Sequence, residues 1–177
     1  MMPIDRHDVG AWVVKGNGVS LPAYVSRLGA RGLGPGDAVS GRTRCLGRTH
    51  RNTLIGAGDL VVSYLGGPAG AVVEIGVVCG MAGNEVAYDG VILTAPIPRG
   101  ALTGDPVLAG SELIRAPQMS NPTYFTPTET RAFADLVLPG DLASSDWSTR
   151  ASMWTHRNEH GTDAHGTTTI GHSGSGC

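Results

Sequence analysis

Residues 59–79, DLVVSYLGGPAGAVVEIGVVC, are the stretch that decides the fold. Two runs rich in branched apolar residues, 59–65 and 71–79, flank a short connection made of glycine, proline and alanine. Apolar runs of this length, bounded by glycine and proline, are typical of strands joined by a turn. The stretch therefore predicts a β-hairpin at the centre of a sheet.

Shorter strand signals lie on both sides of this hairpin. Residues 11–15 (AWVVK) form a β-type run that ends at a Gly-Asn-Gly turn signal. Residues 86–88 and 91–93 flank Asp89-Gly90, a dipeptide that two-residue hairpin turns favour. A first strand and a second hairpin are therefore expected.

Two short helices are also expected. Residues 21–28 follow Ser20, an N-cap candidate, and carry Pro22 in the first turn, where proline is tolerated. Residues 127–136 follow Thr126, and Glu129 stands three positions further on, which is the spacing of a capping box.

Length and composition favour one domain with an appended tail. The chain has 177 residues with 27 glycines and 11 prolines, a composition that favours turns and short strands over long helices. From residue 142 onward, serine, threonine, glycine and histidine replace most of the apolar residues. We therefore expect a folded domain over residues 1–141 and a disordered tail over 142–177.

Metal, disulfide and membrane classes receive no support. The three cysteines, Cys45, Cys79 and Cys177, show no CxxC spacing. The four tail histidines are too widely spaced for a metal site: His156, His160, His165 and His172. We therefore expect no metal and no cofactor. The N-terminus lacks an apolar signal region, and no run reaches the ~20 apolar residues that span a bilayer. A cytoplasmic protein without a membrane partner is expected.

Several stretches, in one order, resemble EVE domains of the PUA-like superfamily, which is related to the YTH and ASCH domains. Residues 12–17 (WVVKGN) resemble the opening of an EVE domain, and residues 54–67 (LIGAGDLVVSYLGG) and 69–78 (AGAVVEIGVV) follow as in the family. Residues 98–129 are similar to the closing segment of standalone bacterial EVE proteins. The resemblance covers about residues 10–138.

The resemblance implies an α+β fold, a twisted and largely closed β-barrel flanked by short helices. It also implies a pocket between the first strand and the central hairpin that receives a flipped, modified base of a nucleic acid. Methylated or hydroxymethylated cytosine in DNA is the first candidate, with DNA favoured over RNA. A separately encoded nuclease or ATPase is a further partner that the resemblance permits.

Six residues are assigned to the base. A flipped base is stabilised by stacking on aromatic rings, while polar groups read its edge. The stacking residues are Trp12 and Tyr64, and the polar residues are Asn17, Ser63, Gln118 and Asn121. Each also has an ordinary structural interpretation, because a strand tryptophan is often a core residue and asparagine often shapes a turn.

Phosphate contacts are assigned to the local concentration of arginine. The net charge is −2, yet the segment between Asp37 and Asp59 holds no acid. The predicted phosphate-binding residues are Arg42, Arg44, Arg48 and Arg51, together with Lys15. A solvated loop explains the same residues. The family often carries a tryptophan where this chain has Arg44-Cys45-Leu46, so Arg44 or His50 is expected to replace that aromatic wall.

No catalytic residue is assigned, because the GxSxG, HExxH and P-loop patterns are absent from the sequence. Two alternatives stay open. The first is a small ASCH-like amidohydrolase acting on a modified nucleoside, although the GxKxxExR pattern of that group finds no acid between Lys15 and Asp37. The second is a protein-binding adaptor whose pocket is vestigial.

Overall fold

The hairpin predicted from the apolar runs forms the centre of the sheet. The computed structural model describes residues 4–16, 18–67, 69–118 and 121–147. Strand β3 (Leu60–Leu65) pairs antiparallel with β4 (Ala71–Ala82). The hairpin prediction is therefore confirmed.

Two strands extend the sheet on each side of this hairpin. The first strand, β1 (Ala11–Gly16), pairs parallel with β3 and antiparallel with β6 (Thr123–Phe125). On the other side β4 pairs with β5 (Glu85–Pro98), and β5 pairs with β2 (Ala38–Cys45). The order of the six strands is β2-β5-β4-β3-β1-β6.

The second predicted hairpin is wrong. Asp89 and Gly90 lie within β5, and the chain reverses instead at residues 83–84, where Gly83 has a φ of 61°. Gly90 pairs with Gly76 across the β4–β5 ladder, and a Cβ atom on Gly90 would clash with the carbonyl oxygen of Ile75. Glycine serves here for close backbone approach and not for a turn.

Short helices complete an α+β fold, as expected. The helices are α1 (Leu21–Gly29), α2 (Arg99–Gly104), α3 (Glu112–Arg115), α4 (Pro127–Ala134) and α5 (Pro139–Ser144). The hydroxyl of Ser20 caps α1 by accepting from the Ala23 amide at 3.3 Å. Thr126 and Glu129 form the predicted capping box of α4. No helix in the described part of the chain is long and apolar enough to cross a bilayer.

The C-terminal helices cover one face of the sheet and carry the fold past the boundary expected at residue 141. Leu102, Leu113 and Phe133 pack into a buried cluster with Val62 and Trp147. The Trp147 side chain is 0% exposed, and its indole nitrogen donates to the Gly76 carbonyl at 2.8 Å. The predicted tail therefore begins too early, because this tryptophan belongs to the core. Residues 148–177, including the four tail histidines, lie outside the described residues.

The opposite face carries two smaller apolar clusters. One contains Trp12, Val61 and Tyr88, and the other contains Tyr24 and Leu28 of α1. A polar group connects them, as described below.

The described strands form an open sheet. Among the described residues, no ladder joins the edge strands β2 and β6. The segments next to these strands do meet, because the Gly47 amide donates to the Asn121 carbonyl at 2.8 Å. Closure into a PUA-like barrel stays a prediction.

Candidate nucleic-acid interface

A buried carboxylate joins the two smaller apolar clusters, on the face of the sheet opposite the C-terminal helices. The Glu74 side chain, on the central strand β4, is 0% exposed. Its Oε1 accepts from the Tyr24 hydroxyl and from Nη2 of Arg42, both at 2.6 Å. Its Oε2 accepts from the Tyr88 hydroxyl at 2.6 Å, and Arg44 lies 3.8 Å from Oε1. We call Tyr24, Arg42, Glu74 and Tyr88 the Glu74 hub.

Charge is distributed unevenly within the Glu74 hub. Burial raises the pKa of Glu74, but hydrogen bonds from Arg42, Tyr24 and Tyr88 outweigh burial and hold the pKa below its usual value. Burial and the negative charge of Glu74 raise the pKa of both phenols. Glu74 is therefore ionised at neutral pH, while Tyr24 and Tyr88 keep their protons.

Strand register and one helix cap bring these residues together. Arg42 on β2 pairs with Tyr88 on β5, and Ser63 on β3 pairs with Glu74 on β4. The Ser20 cap starts α1 one turn before Tyr24, and the Tyr24 amide donates to the Ser20 carbonyl at 2.9 Å. Residues far apart in the chain thus meet above the middle of the sheet.

A cavity of about 420 Å³ opens beside the Glu74 hub, between α1 and β2. Its apolar wall includes Leu28 and Leu65, and four arginines line it: Arg27, Arg31, Arg42 and Arg44. Tyr24 also lines it, and no carboxylate does so among the described residues. We call this space the helix-side cavity.

A second cavity of about 390 Å³ lies along β2 and is lined by residues 38–44 with Arg31 and Leu33. We call it the edge cavity. Three arginines, Arg31, Arg42 and Arg44, line both cavities. The two spaces therefore meet at a shared basic boundary.

The arginines around the helix-side cavity differ in whether they form an ion pair. Arg27 and Arg31 are exposed on and just after α1, and neither forms an ion pair with any described residue. Arg42 pairs with Glu74, yet its buried Nε has no hydrogen-bond partner in the described part of the molecule. The positive charge of Arg27 and Arg31 is thus left available to a ligand.

The predicted stacking residues lie in the core. Trp12 is 1% exposed, and its indole nitrogen donates to Asp59 at 3.0 Å. Tyr64 and Ser63 are also buried. None of the three lines the helix-side cavity or the edge cavity, so the structure offers no open ring face of Trp12 or Tyr64 for a base. Asn17 lies outside the described residues.

The late polar residues serve another part of the fold. The Asn121 side chain accepts from the Lys15 amide at 2.9 Å and donates to the Lys15 carbonyl at 3.0 Å, much as a neighbouring strand would. The Lys15 ammonium donates to the Pro117 carbonyl at 3.1 Å. Gln118 is exposed. None of these residues lines the helix-side cavity.

The arginine segment separates into three environments. Arg42 and Arg44 line both cavities. Arg48 and His50 are exposed and line neither cavity. Of the two residues expected to replace the aromatic wall, only Arg44 therefore lines a cavity, and His50 does not. Arg51 is buried in an ion pair with Glu112. That position does not support the predicted phosphate contact of Arg51, because its guanidinium is already committed.

Sequence reasoning missed Glu74, Tyr24, Arg27 and Arg31. Glu74 carried a usable signal, because it is the one charged residue in the otherwise apolar run 71–79. Such a residue in a buried strand needs a partner of opposite charge or several donors. Arg27 and Arg31 are four positions apart, but α1 ends at Gly29, so helical spacing alone does not place Arg31 beside Arg27.

Comparisons with known proteins do not show a family for this chain. No protein-family model matches the chain, and no curated protein matches it. An NMR structure of Rpa0253 from Rhodopseudomonas palustris is similar, with 21% sequence identity and a TM-score of 0.48. The match covers 73% of this chain and 93% of that protein. Membership of the EVE family stays a prediction.

Proposed function

We propose that this chain is a non-catalytic nucleic-acid reader that receives one extruded base in the helix-side cavity. The observation that carries the proposal is the lining of that cavity, where four arginines surround an apolar wall without a carboxylate among the described lining residues. Methylated or hydroxymethylated cytosine in DNA is the first candidate ligand, because of the EVE-like stretches of the sequence. A PUA-like architecture belongs to the same proposal.

Charge supports a polyanionic ligand. Glu74 balances the charge of Arg42, whereas Arg27 and Arg31 have no carboxylate partner among the described residues. Arginine side chains that neutralise phosphates release bound counterions, and this release supplies much of the affinity for nucleic acids. The overall charge of −2 means that the chain as a whole is not basic, so attraction of a polyanion depends on this local patch.

Size and surface chemistry support an extruded base. A volume of about 420 Å³ lies within the range of ~300–1,000 Å³ that is usual for small-ligand sites. Extrusion costs a few kcal/mol, which stacking and apolar contact must offset. Here Tyr24, Leu28 and the guanidinium planes of the lining arginines supply those surfaces. The ligand therefore rests against a mixed wall and not between two aromatic rings.

The state of Glu74 supports binding over catalysis. Both of its carboxylate oxygens accept hydrogen bonds, and its pKa lies below the usual value. A general base works best with a pKa close to the working pH. Glu74 is thus suited to orient Arg42 and poorly suited to remove a proton.

The proposal is tested with fluorescence anisotropy on labelled single strands. The strands are identical except at one position, which holds cytosine, 5-methylcytosine, 5-hydroxymethylcytosine or an abasic sugar. A modified cytosine should bind most tightly and the abasic strand least. Arg27→Gln should weaken binding to every strand and lower the slope of log K against log salt by about 0.7, the value for one phosphate contact on a single strand.

Arg131→Gln is the matched control, because Arg131 is also an exposed helical arginine and lines neither cavity. It should leave affinity and salt dependence unchanged. Failure of the wild-type chain to bind any strand at low salt contradicts the proposal and favours a protein-binding adaptor. Conversion of the modified base would favour the amidohydrolase alternative.

A further inference from the structure

The edge cavity adjoins the helix-side cavity along strand β2. Strand β2 is at the end of the sheet order, with the helix-side cavity on one side and the edge cavity along its residues 38–44. Arg31, Arg42 and Arg44 line both spaces. A ligand confined to one cavity would contact these three arginines from one side only.

A bulge shapes the edge cavity. The β2–β5 register shifts between Val39 and Arg42, and Gly41 has a φ of 59°. One oxygen of Asp89 accepts from the Ser40 hydroxyl at 2.8 Å and from the Gly41 amide at 2.7 Å. The bulge is therefore held in place, and its fixing carboxylate does not line the edge cavity.

We propose that the two cavities form one track for a nucleic-acid strand. The extruded base occupies the helix-side cavity, and the next nucleotide of the same strand occupies the edge cavity. The phosphate that joins them lies at the shared arginines, since such contacts fix the register of a strand without reading its sequence. This inference rests on the proposed function and adds where the next nucleotide and the phosphate that joins it to the extruded base lie.

A substitution at Thr43 tests the edge cavity without changing the lining of the helix-side cavity. It is exposed on β2 and lines the edge cavity but not the helix-side cavity. A glutamate at this position puts a negative charge in the edge cavity, beside the second nucleotide. Thr43→Glu should therefore weaken binding of a short single strand by about fivefold, the Coulomb effect of one like charge in water. It should leave binding of a mononucleotide unchanged.

Two variants control this experiment. Thr43→Gln keeps the size of glutamate without its charge, so a loss of strand binding common to both variants reports size, and the further loss in Thr43→Glu reports charge. Thr128→Glu adds the same charge at an exposed position of α4 that lines neither cavity, and it should have no effect. Melting temperatures of all variants check that the fold is kept.

Titrations with a mononucleotide, a dinucleotide and the short strand complete the test. Affinity should rise from the mononucleotide to the dinucleotide, because the second cavity is then filled. Equal affinity for mononucleotide and strand overturns the track. So does a Thr43→Glu variant that binds the strand like Thr128→Glu while Arg27→Gln still weakens it, although the base cavity would then stand. If neither mononucleotide nor strand binds the wild type, the proposed function itself fails.

Discussion

Arg42 and Arg51 come from one acid-free segment and each pairs with a distant glutamate, Glu74 and Glu112, yet the two ion pairs differ in what they leave available. In the second pair, Nη1 and Nη2 of Arg51 bind the two carboxylate oxygens of Glu112 at 2.6 and 2.7 Å. Arg51 also donates to the Pro122 carbonyl at 3.3 Å and lies 5.5 Å from the centre of the Tyr124 ring.

Arg42 is less fully committed. Nη2 binds Glu74, while the buried Nε has no partner in the described part of the molecule, and the side chain lines two cavities. An unsatisfied buried donor costs about 1–3 kcal/mol unless water or a ligand accepts from it. The Arg42 side chain borders two cavities that a ligand can enter, whereas both terminal nitrogens of Arg51 are bound to Glu112.

Position in the fold explains the difference. Arg51 lies in the short 3-10 helix His50–Leu54 that follows β2, and Glu112 lies at the start of α3, so this pair ties a loop to the helices. The hydroxyl of Thr123 on β6 also donates to Glu112. The Arg42 pair lies instead on the face of the sheet opposite the C-terminal helices, next to α1. A count of arginines in sequence does not separate these two uses.

The largest expected effect is the loss of stability when either carboxylate is neutralised. Glu74→Gln removes the counter-charge of Arg42, whose side chain is 13% exposed, at a position that is itself fully buried, so it should lower the free energy of unfolding by about 3–5 kcal/mol. Glu112→Gln should cost about 1–3 kcal/mol, because the Glu112 side chain is 22% exposed and water compensates in part. Urea denaturation followed by circular dichroism measures both. Equal losses would contradict the difference in burial.

Local signals explain which parts of the fold were predictable. The hairpin of β3 and β4, the first strand and both capped helices rest on apolar runs, turn residues and caps that lie next to one another in sequence. The Asp89-Gly90 turn failed because a glycine that permits close strand approach reads the same as a turn glycine. Only the partner Gly76 on β4 distinguishes them.

The site was less predictable, because it depends on which face of the sheet opens onto a cavity. Strand alternation places Trp12 on a face, but it does not show that the face is covered there. Trp147 looked like an isolated apolar residue in a polar stretch, and its burial depends on Gly76, 71 positions away. Arg42 and Arg44 were found from charge alone, whereas Arg51 needed its distant partner Glu112 to be understood.

A smaller effect is expected at acid pH. The folded pKa of both Glu74 and Glu112 lies below the ordinary value, because hydrogen bonds to the carboxylates outweigh burial. Each carboxylate therefore contributes stability that is complete above its unfolded pKa of about 4.3 and is lost as pH falls through the folded pKa. The urea midpoint should be level just above pH 5 and should fall below about pH 4.

The two glutamine variants sharpen this measurement. Each should show a shallower acid decline than the wild type, since the stabilised carboxylate is gone. A wild-type midpoint that rises on acidification would contradict the direction of both pKa shifts.

The smallest expected effect comes from exchanging each arginine for lysine, and it separates the two pairs by readout. Arg51→Lys keeps the charge but loses the two-pronged contact with Glu112, so stability should fall by about 1–2 kcal/mol while strand binding stays unchanged. Arg42→Lys keeps an ion pair with Glu74 but replaces the planar guanidinium that lines both cavities with a compact ammonium, so binding of the modified strand should weaken about fivefold, a change equivalent to about one hydrogen bond. Arg48→Lys serves as control, because Arg48 is exposed and lines neither cavity. Anisotropy and urea titration on the same preparations give both readouts. If Arg42→Lys changes only stability, or Arg51→Lys changes only binding, the two pairs have been assigned the wrong way round.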